Sequence, residues 1–255
     1  MTKRIEDLKV IGNKHLNNDF FILELTGDSK IPILAPGQFV QVRVDGSPET
    51  FLRRPISIHD VDYEKNTLKL LIQIAGKGTQ TLSELLPGDN LNIIYPLGNS
   101  FSMPAENDNI LLAGGGCGIA PLLFLGKYLK SNGFVPDIIL GFRNKERIIE
   151  FEDYLQIGNV FITTEDGSMG EKGYVTNHSI FSTQNYDRIC CCGPDSMMKA
   201  IGEYCRRKDI VCEVSLENLM ACGIGACLCC VVNTTGGNLC TCIDGPVFNV
   251  NDLKW

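Results

Sequence analysis

From residue 8 to about residue 103 the chain alternates short apolar stretches with polar turns. Leu8–Ile11, Phe20–Glu24, Gln38–Val44, Ile56–His59, Thr67–Ile74 and Asn90–Tyr95 are rich in Val, Ile, Leu and Phe. Ala35-Pro36-Gly37, Asp45-Gly46-Ser47-Pro48 and Pro87-Gly88-Asp89 punctuate them as turns. Six strands at this spacing predict a small antiparallel barrel, interrupted by one helical stretch, Thr79–Leu86.

Beyond Asn109 the period changes. Ile110-Leu111-Leu112-Ala113 runs through Gly114-Gly115-Gly116-Cys117-Gly118 into a helical Ile119–Lys130. Ile138–Phe142, Val160–Thr163 and Arg188–Cys192 read as buried strands, with helices over Arg147–Leu155 and Asp195–Lys208, the latter capped by Asp195. Strands alternating with helices predict a mostly parallel sheet. After the strand Val211–Ser215 the composition shifts again, to about forty residues with many glycines and six cysteines, too few apolar side chains for a core without a staple. The division expected is 1–103, 104–212 and 213–255, in a multi-domain β and α/β chain.

Composition narrows the function. Of the 255 residues 44% are apolar and 21% charged, the balance of a folded globular protein. A net charge of -7 argues against nucleic acid, whose affinity rests on clustered Lys and Arg. No apolar run reaches membrane-spanning length, and Met1–Asp7 lacks the apolar centre of a signal peptide, so a cytoplasmic protein is expected. In that reducing setting twelve cysteines point to metal rather than disulfides; all but Cys117 lie from residue 190 onward.

The strongest chemical signal is Cys222-Gly223-Ile224-Gly225-Ala226-Cys227-Leu228-Cys229-Cys230, followed by Cys242. Cys222, Cys227 and Cys230 have the C-x4-C-x2-C spacing of a plant-type 2Fe–2S site, with a fourth cysteine downstream. Gly223 and Gly225 let a loop turn its N–H groups toward the sulfurs. Structural zinc favours two well-separated short pairs and fits poorly. Spacing alone accepts Cys229 for Cys230, or Cys240 for Cys242.

The remaining signals are phosphate cradles. Arg53-Arg54-Pro55-Ile56-Ser57 offers a guanidinium for a pyrophosphate and a hydroxyl at a strand end, although an Arg pair beside a strand is often only solvated. Gly76-Lys77-Gly78-Thr79 opens a helix. Gly116 to Pro121 reads G-x-G-x-x-P, not the dinucleotide fingerprint, yet strand, glycine turn and helix still suit a phosphate. Cys192-Gly193-Pro194 closes a later strand toward the same crevice. His15, His59 and His178 make no ligand spacing, and no hydrolase motif occurs.

Arg54-Pro55-Ile56-Ser57, Gly78-Thr79, Gly116-x-Gly118-x-x-Pro121 and Cys192-Gly193-Pro194 stand in the order found in the ferredoxin reductase-like family, which the chain resembles. Met220–Cys227 and Cys242-Ile243-Asp244-Gly245-Pro246-Val247-Phe248 narrow the resemblance to electron-transfer subunits of type B, NAD-linked dihydroorotate dehydrogenase. The resemblance implies a barrel binding FAD through Arg54, Pro55, Ile56, Ser57, Leu71, Ile72, Gln73, Gly78 and Thr79, and an α/β unit binding NAD through Gly116, Gly118, Pro121, Cys192, Gly193 and Pro194. It also selects Cys222, Cys227, Cys230 and Cys242 as cluster ligands.

Further implied is a partner, an FMN-containing catalytic subunit that oxidises dihydroorotate, in a complex with two subunits of each kind. Electrons would then pass from FMN through the cluster and FAD to NAD, in pyrimidine biosynthesis. Two departures stand out: Tyr95-Pro96-Leu97-Gly98 where the wider family often has Gly-Pro-Leu-Gly, and Cys117 in place of a more usual aliphatic residue. Competing readings are the flavin subunit of another NAD(P)H-linked complex, a ferredoxin:NADP oxidoreductase or sulfide dehydrogenase, which tend to carry Asp where Cys222 stands, and a non-enzymatic zinc scaffold.

Overall fold

The computed structural model describes residues 2–255. Alternation of inward apolar and outward polar side chains, with Leu8 and Val10 buried between exposed Asp7, Lys9 and Ile11, makes β1 (Arg4–His15) a half-buried strand. It continues in antiparallel fashion with β2 (Phe20–Thr26), β3 (Phe39–Val42), β4 (Arg54–Ser57), β5 (Asp60–Asp62), β6 (Thr67–Gln73) and β7 (Asn90–Leu97). Their order is β4-β3-β7-β1-β2-β6-β5, so the sheet has seven strands where the hydrophobic pattern gave six. The extra one, β5, is three residues long and two of them are Asp. The inner faces close over Val10, Phe21, Leu23, Val40, Val42, Leu70 and Ile93, and α1 (Lys77–Ser83) covers one end.

The second sheet has the order β11-β10-β9-β8-β12-β13-β16. Here β8 is Ile110–Gly115, β9 Asp137–Phe142, β10 Asn159–Thr164, β11 Glu171–Lys172, β12 Arg188–Cys192 and β13 Val211–Ser215. All six are parallel. Helices α2 (Ala120–Ser131), α3 (Phe151–Leu155), α4 (Ile180–Thr183) and α5 (Asp195–Lys208) cover its faces, burying separate apolar clusters on the two sides. A mid-sheet strand buried on both faces needs a continuous apolar run, which the Cys190–Cys192 thiols supply in β12. The expected helix over Arg147–Leu155 is instead a 3-10 turn, Lys145–Arg147, then α3, with Glu150 between them at φ 54°.

The last segment forms a two-stranded hairpin, β14 (Val231–Thr234) and β15 (Gly237–Cys240), and then returns to the second sheet as β16 (Val247–Asn249), antiparallel to β13. The barrel and the α/β unit are joined by charged contacts: Lys127 to Asp60 at 2.6 Å, Arg147 to Asp19 at 2.8 Å, and His59 to Glu150 at 2.5 Å with His59 fully buried. Among the described residues no helix is long and apolar enough to cross a membrane.

Candidate functional site

The cysteine-rich segment brings its thiols together through the β14–β15 hairpin. Cys230 lies just before β14 and Cys242 just after β15. The Thr241 amide and hydroxyl both donate to the Cys230 carbonyl, at 3.0 and 2.9 Å, and the Cys242 amide donates to the Cys230 sulfur at 3.4 Å. Asp244 fixes the turn by accepting from the Cys240 amide at 2.7 Å. Cys222 and Cys227 arrive on the preceding loop, which Gly223 (φ 69°) and Gly225 (φ 83°) turn in the left-handed region. That turn aims the Ile224 amide at the Cys222 sulfur (3.4 Å) and the Gly225 amide at the Cys242 sulfur (3.2 Å).

Burial pushes the Cys222 thiol up, but the amides of Ile224, Cys227 and Ala226 and the Cys227 thiol outweigh it and bring its pKa to about 6. Burial and the adjoining Cys230 thiol push Cys242 the other way, to about 12. Cys222 thus adjoins Cys227, and Cys230 adjoins both Cys240 and Cys242. Among the described residues no three His, Cys, Asp or Glu side chains converge where one ion could sit. Cysteine thiols with backbone amides aimed at their sulfurs suit an iron-sulfur cluster.

Of the sulfurs that spacing left open, Cys229 is exposed and lines the neighbouring cavity, apart from the buried Cys230. Cys240 is buried beside Cys230, yet Cys242 is the one that receives the loop amide.

A cavity of about 720 Å³ separates this segment from the barrel, within the size of cofactor sites. Arg54, Pro55, Ile56 and Ser57 of β4, Leu71, Ile72 and Gln73 of β6, and Gly78 and Thr79 of α1 all line it. The opposite wall is Ser215–Met220, Cys229 and Pro246, so one side belongs to the cysteine-rich segment. The two arginines differ. Arg53 is tied to the Gln41 and Asn92 carbonyls and to the Asn92 side chain, whereas among the described residues the Arg54 side chain holds only the Leu52 carbonyl, leaving most of its donors to the cavity beside Gly78. An extended anionic ligand with a planar ring system fits this lining.

A second cavity of about 720 Å³ opens at the carboxyl ends of β8, β9, β10 and β12, where open α/β sheets take nucleotides. Gly116, Gly118, Gly193 and Pro194 line it; Pro121 and Cys192 do not. Pro121 is buried in the first turn of α2, and Cys192 is buried at the end of β12 with its sulfur 3.9 Å from Glu217. A side chain on Gly118 would run into the backbone of Cys192 and Gly193, so the two loops touch directly.

The turn is braced from behind by Tyr154, whose hydroxyl donates to the Ile119 carbonyl at 2.6 Å, and by His59, whose Nδ1 meets the Ala120 carbonyl at 2.7 Å. Arg143, Glu165, Tyr174 and Glu217 also line the cavity and were not legible as a group, since each comes from a different loop. Gln73, Cys117 and Glu217 line both cavities, which therefore meet at these residues. Burial pushes the Cys117 thiol up to about 12, and burial followed by the Asp195 charge raises the Glu217 carboxyl.

Residues 217–254 match the iron-sulfur cluster binding domain of dihydroorotate dehydrogenase B, and residues 7–101 match the oxidoreductase FAD-binding domain. The chain is 38% identical over 246 residues to a dihydroorotate dehydrogenase B (NAD(+)), electron transfer subunit of Clostridium acetobutylicum, covering 96% of this chain and 95% of that one. It is 39% identical over 245 residues to the counterpart from Caldanaerobacter subterraneus, covering 94% of each. Among solved structures it is similar to an NADH-dependent reduced ferredoxin-NADP oxidoreductase studied for flavin-based electron bifurcation, with a TM-score of 0.88, 30% identity, and coverage of 97% of this chain and 90% of that one.

Proposed function

The chain belongs to the family of electron transfer subunits of NAD(+)-linked dihydroorotate dehydrogenase B, and from that membership we propose that it carries electrons from a catalytic partner that oxidises dihydroorotate to NAD+. When bound, FAD supplies the exchange between hydride and single-electron chemistry, and a 2Fe–2S cluster supplies single-electron transfer.

Cys222, Cys227, Cys230 and Cys242 would hold the cluster. Arg54 and the Gly78-Thr79 turn would hold the FAD pyrophosphate, and the β4 and β6 segments Ile56-Ser57 and Leu71–Gln73 would line the ring system. Gly116 and Gly118 would present the β8–α2 turn to the NAD phosphates, with Gly193 and Pro194 lining the same cavity. Gln73, Cys117 and Glu217, at the junction of the two cavities, stand where a nicotinamide and a flavin would have to meet. Residues 1–103, 104–212 and 213–255 are then the flavin, nucleotide and cluster units.

The observation that carries this reading is the glycine loop whose amides aim at the Cys222 and Cys242 sulfurs, in a segment whose Ser215–Met220, Cys229 and Pro246 wall the flavin cavity. Apolar side chains exposed around the cluster loop and cavity rim, Phe51 at 91%, Leu219 at 86% and Leu228 at 63%, suit the docking face of an FMN-containing catalytic partner. The assembly has two subunits of each kind and works in the cytoplasm. Copurification of the partner, followed by NAD+ reduction with dihydroorotate, tests the assignment. NADH should bleach a flavin spectrum overlaid on broad sulfur-to-iron bands; a colourless, zinc-containing protein would refute it.

A further inference from the structure

Strand β3 points its side chains alternately to two interiors. Val40 and Val42 enter the barrel core, while Phe39 on the opposite face packs with Met220, Cys230, Cys240 and Cys242. Gln41 shares that second face. Its side chain is wholly buried, and among the described residues neither its Nε2 nor its Oε1 has a hydrogen-bond partner. An amide buried without partners is strongly unfavourable, and an apolar residue of similar shape would serve the barrel better.

The amide lies against the cluster loop. A Cβ built on Gly223, the residue after Cys222, would stand 2.6 Å from Gln41 Cγ and 2.9 Å from Nε2. Gly223 is thus required twice, by its positive φ and by the space the glutamine occupies.

We infer that Gln41, supplied by the flavin barrel, donates its buried amide N–H to the sulfur shell of the cluster held by Cys222, Cys227, Cys230 and Cys242, and so sets the cluster's reduction potential. This rests on the ligand set proposed above. Adding an electron places more negative charge on the sulfurs, and a donor aimed at them stabilises the reduced form, which raises the potential. Gln41 is a positioning residue: it reaches the electron carrier across the domain boundary without being a ligand.

The test is an EPR-monitored redox titration of the anaerobic holoprotein, comparing wild type with Gln41→Leu and Gln41→Met. Both variants should keep iron, sulfide and FAD at wild-type levels. Each should show about a tenfold fall in the ratio of reduced to oxidised cluster at the wild-type midpoint, about 59 mV for a one-electron couple. An unchanged midpoint with full iron content would overturn the inference while leaving the ligand set standing; absence of iron from the wild type would overturn the ligand set itself. Should both variants fail to load iron, wild-type protein labelled with 15N in glutamine side chains decides. A nitrogen coupling on the reduced-cluster EPR signal supports the donor, and its absence overturns it.

Discussion

Adding one methyl group at Gly118 should uncouple the nucleotide from the flavin without disturbing either iron or FAD. In Gly118→Ala the new Cβ meets the Cys192 carbonyl group and the Gly193 Cα, which are backbone atoms and cannot rotate away. Relief requires the β8–α2 turn to withdraw from the β12 loop by roughly 1 Å, a displacement that costs a transfer reaction about 10²-fold. Tyr154 and His59 resist that withdrawal by holding the next two carbonyls, so part of the misfit stays as overpacking of about 1–3 kcal/mol. Cys117 and Ala120 of the turn also border the flavin cavity, but its β4, β6 and α1 walls and the thiols from 222 to 242 lie outside the turn and hold FAD and iron in place. The assay is anaerobic stopped-flow reduction of the bound flavin by NADH, with iron and FAD content measured on the same preparation. A variant that takes hydride at the wild-type rate and affinity would refute the close-packed turn as the nucleotide cradle.

Three other outcomes are expected. Cys222→Ser should lose the cluster and retain FAD, whereas Cys229→Ser should keep both, because Cys229 is exposed at the flavin cavity; iron and flavin analysis separates them. Arg54→Ala should weaken FAD retention about 10- to 100-fold, the loss of a charge-assisted contact of about 1.5–3 kcal/mol, read from flavin released on dilution. Glu150→Gln should destabilise the fold by about 1.5–3 kcal/mol at neutral pH, since it removes the buried carboxylate that the His59 ring meets. Burial pushes the Glu150 carboxyl up, but the adjoining His59 ring outweighs it and holds the pKa below 4.5, so this stability is present above 4.5 and is lost as pH falls through the lower folded value. Denaturant midpoints should therefore fall with acid more steeply in wild type than in the variant.

The architecture was legible where the chain repeats a period over several residues. Arg188–Cys192, Asp195–Lys208 and Val211–Ser215 coincide with their observed elements, since a buried parallel strand and an amphipathic helix each write themselves continuously. What escaped is short or conditional. Strand β5 has one apolar residue among three, and β16 exists because Val247–Asn249 finds the edge of β13, Val211–Ser215, far earlier in the chain. Strand β1 runs to His15, well past Ile11, because its outer residues are held by pairing with β2 while facing solvent.

In the site, Arg54–Ser57, Leu71–Gln73 and Gly78-Thr79 meet in one cavity, and Gly116 and Gly118 meet Gly193 and Pro194 in the other. Pro121 and Cys192 support the second cavity from behind it. Glu217 carries no local signal: it matters because Leu216 is pinned to Pro246 and the next carboxylate then falls between the two cavities.

Iron, acid-labile sulfide and FAD, counted per chain in protein purified and held without oxygen, test the central claim most directly. Two irons, two sulfides and one FAD should be found, with the irons lost on serine substitution at 222, 227, 230 or 242 and kept at 229 or 240. Oxygen-free protein with neither iron nor sulfide, or a cluster that survives replacement of any of those four, would contradict it.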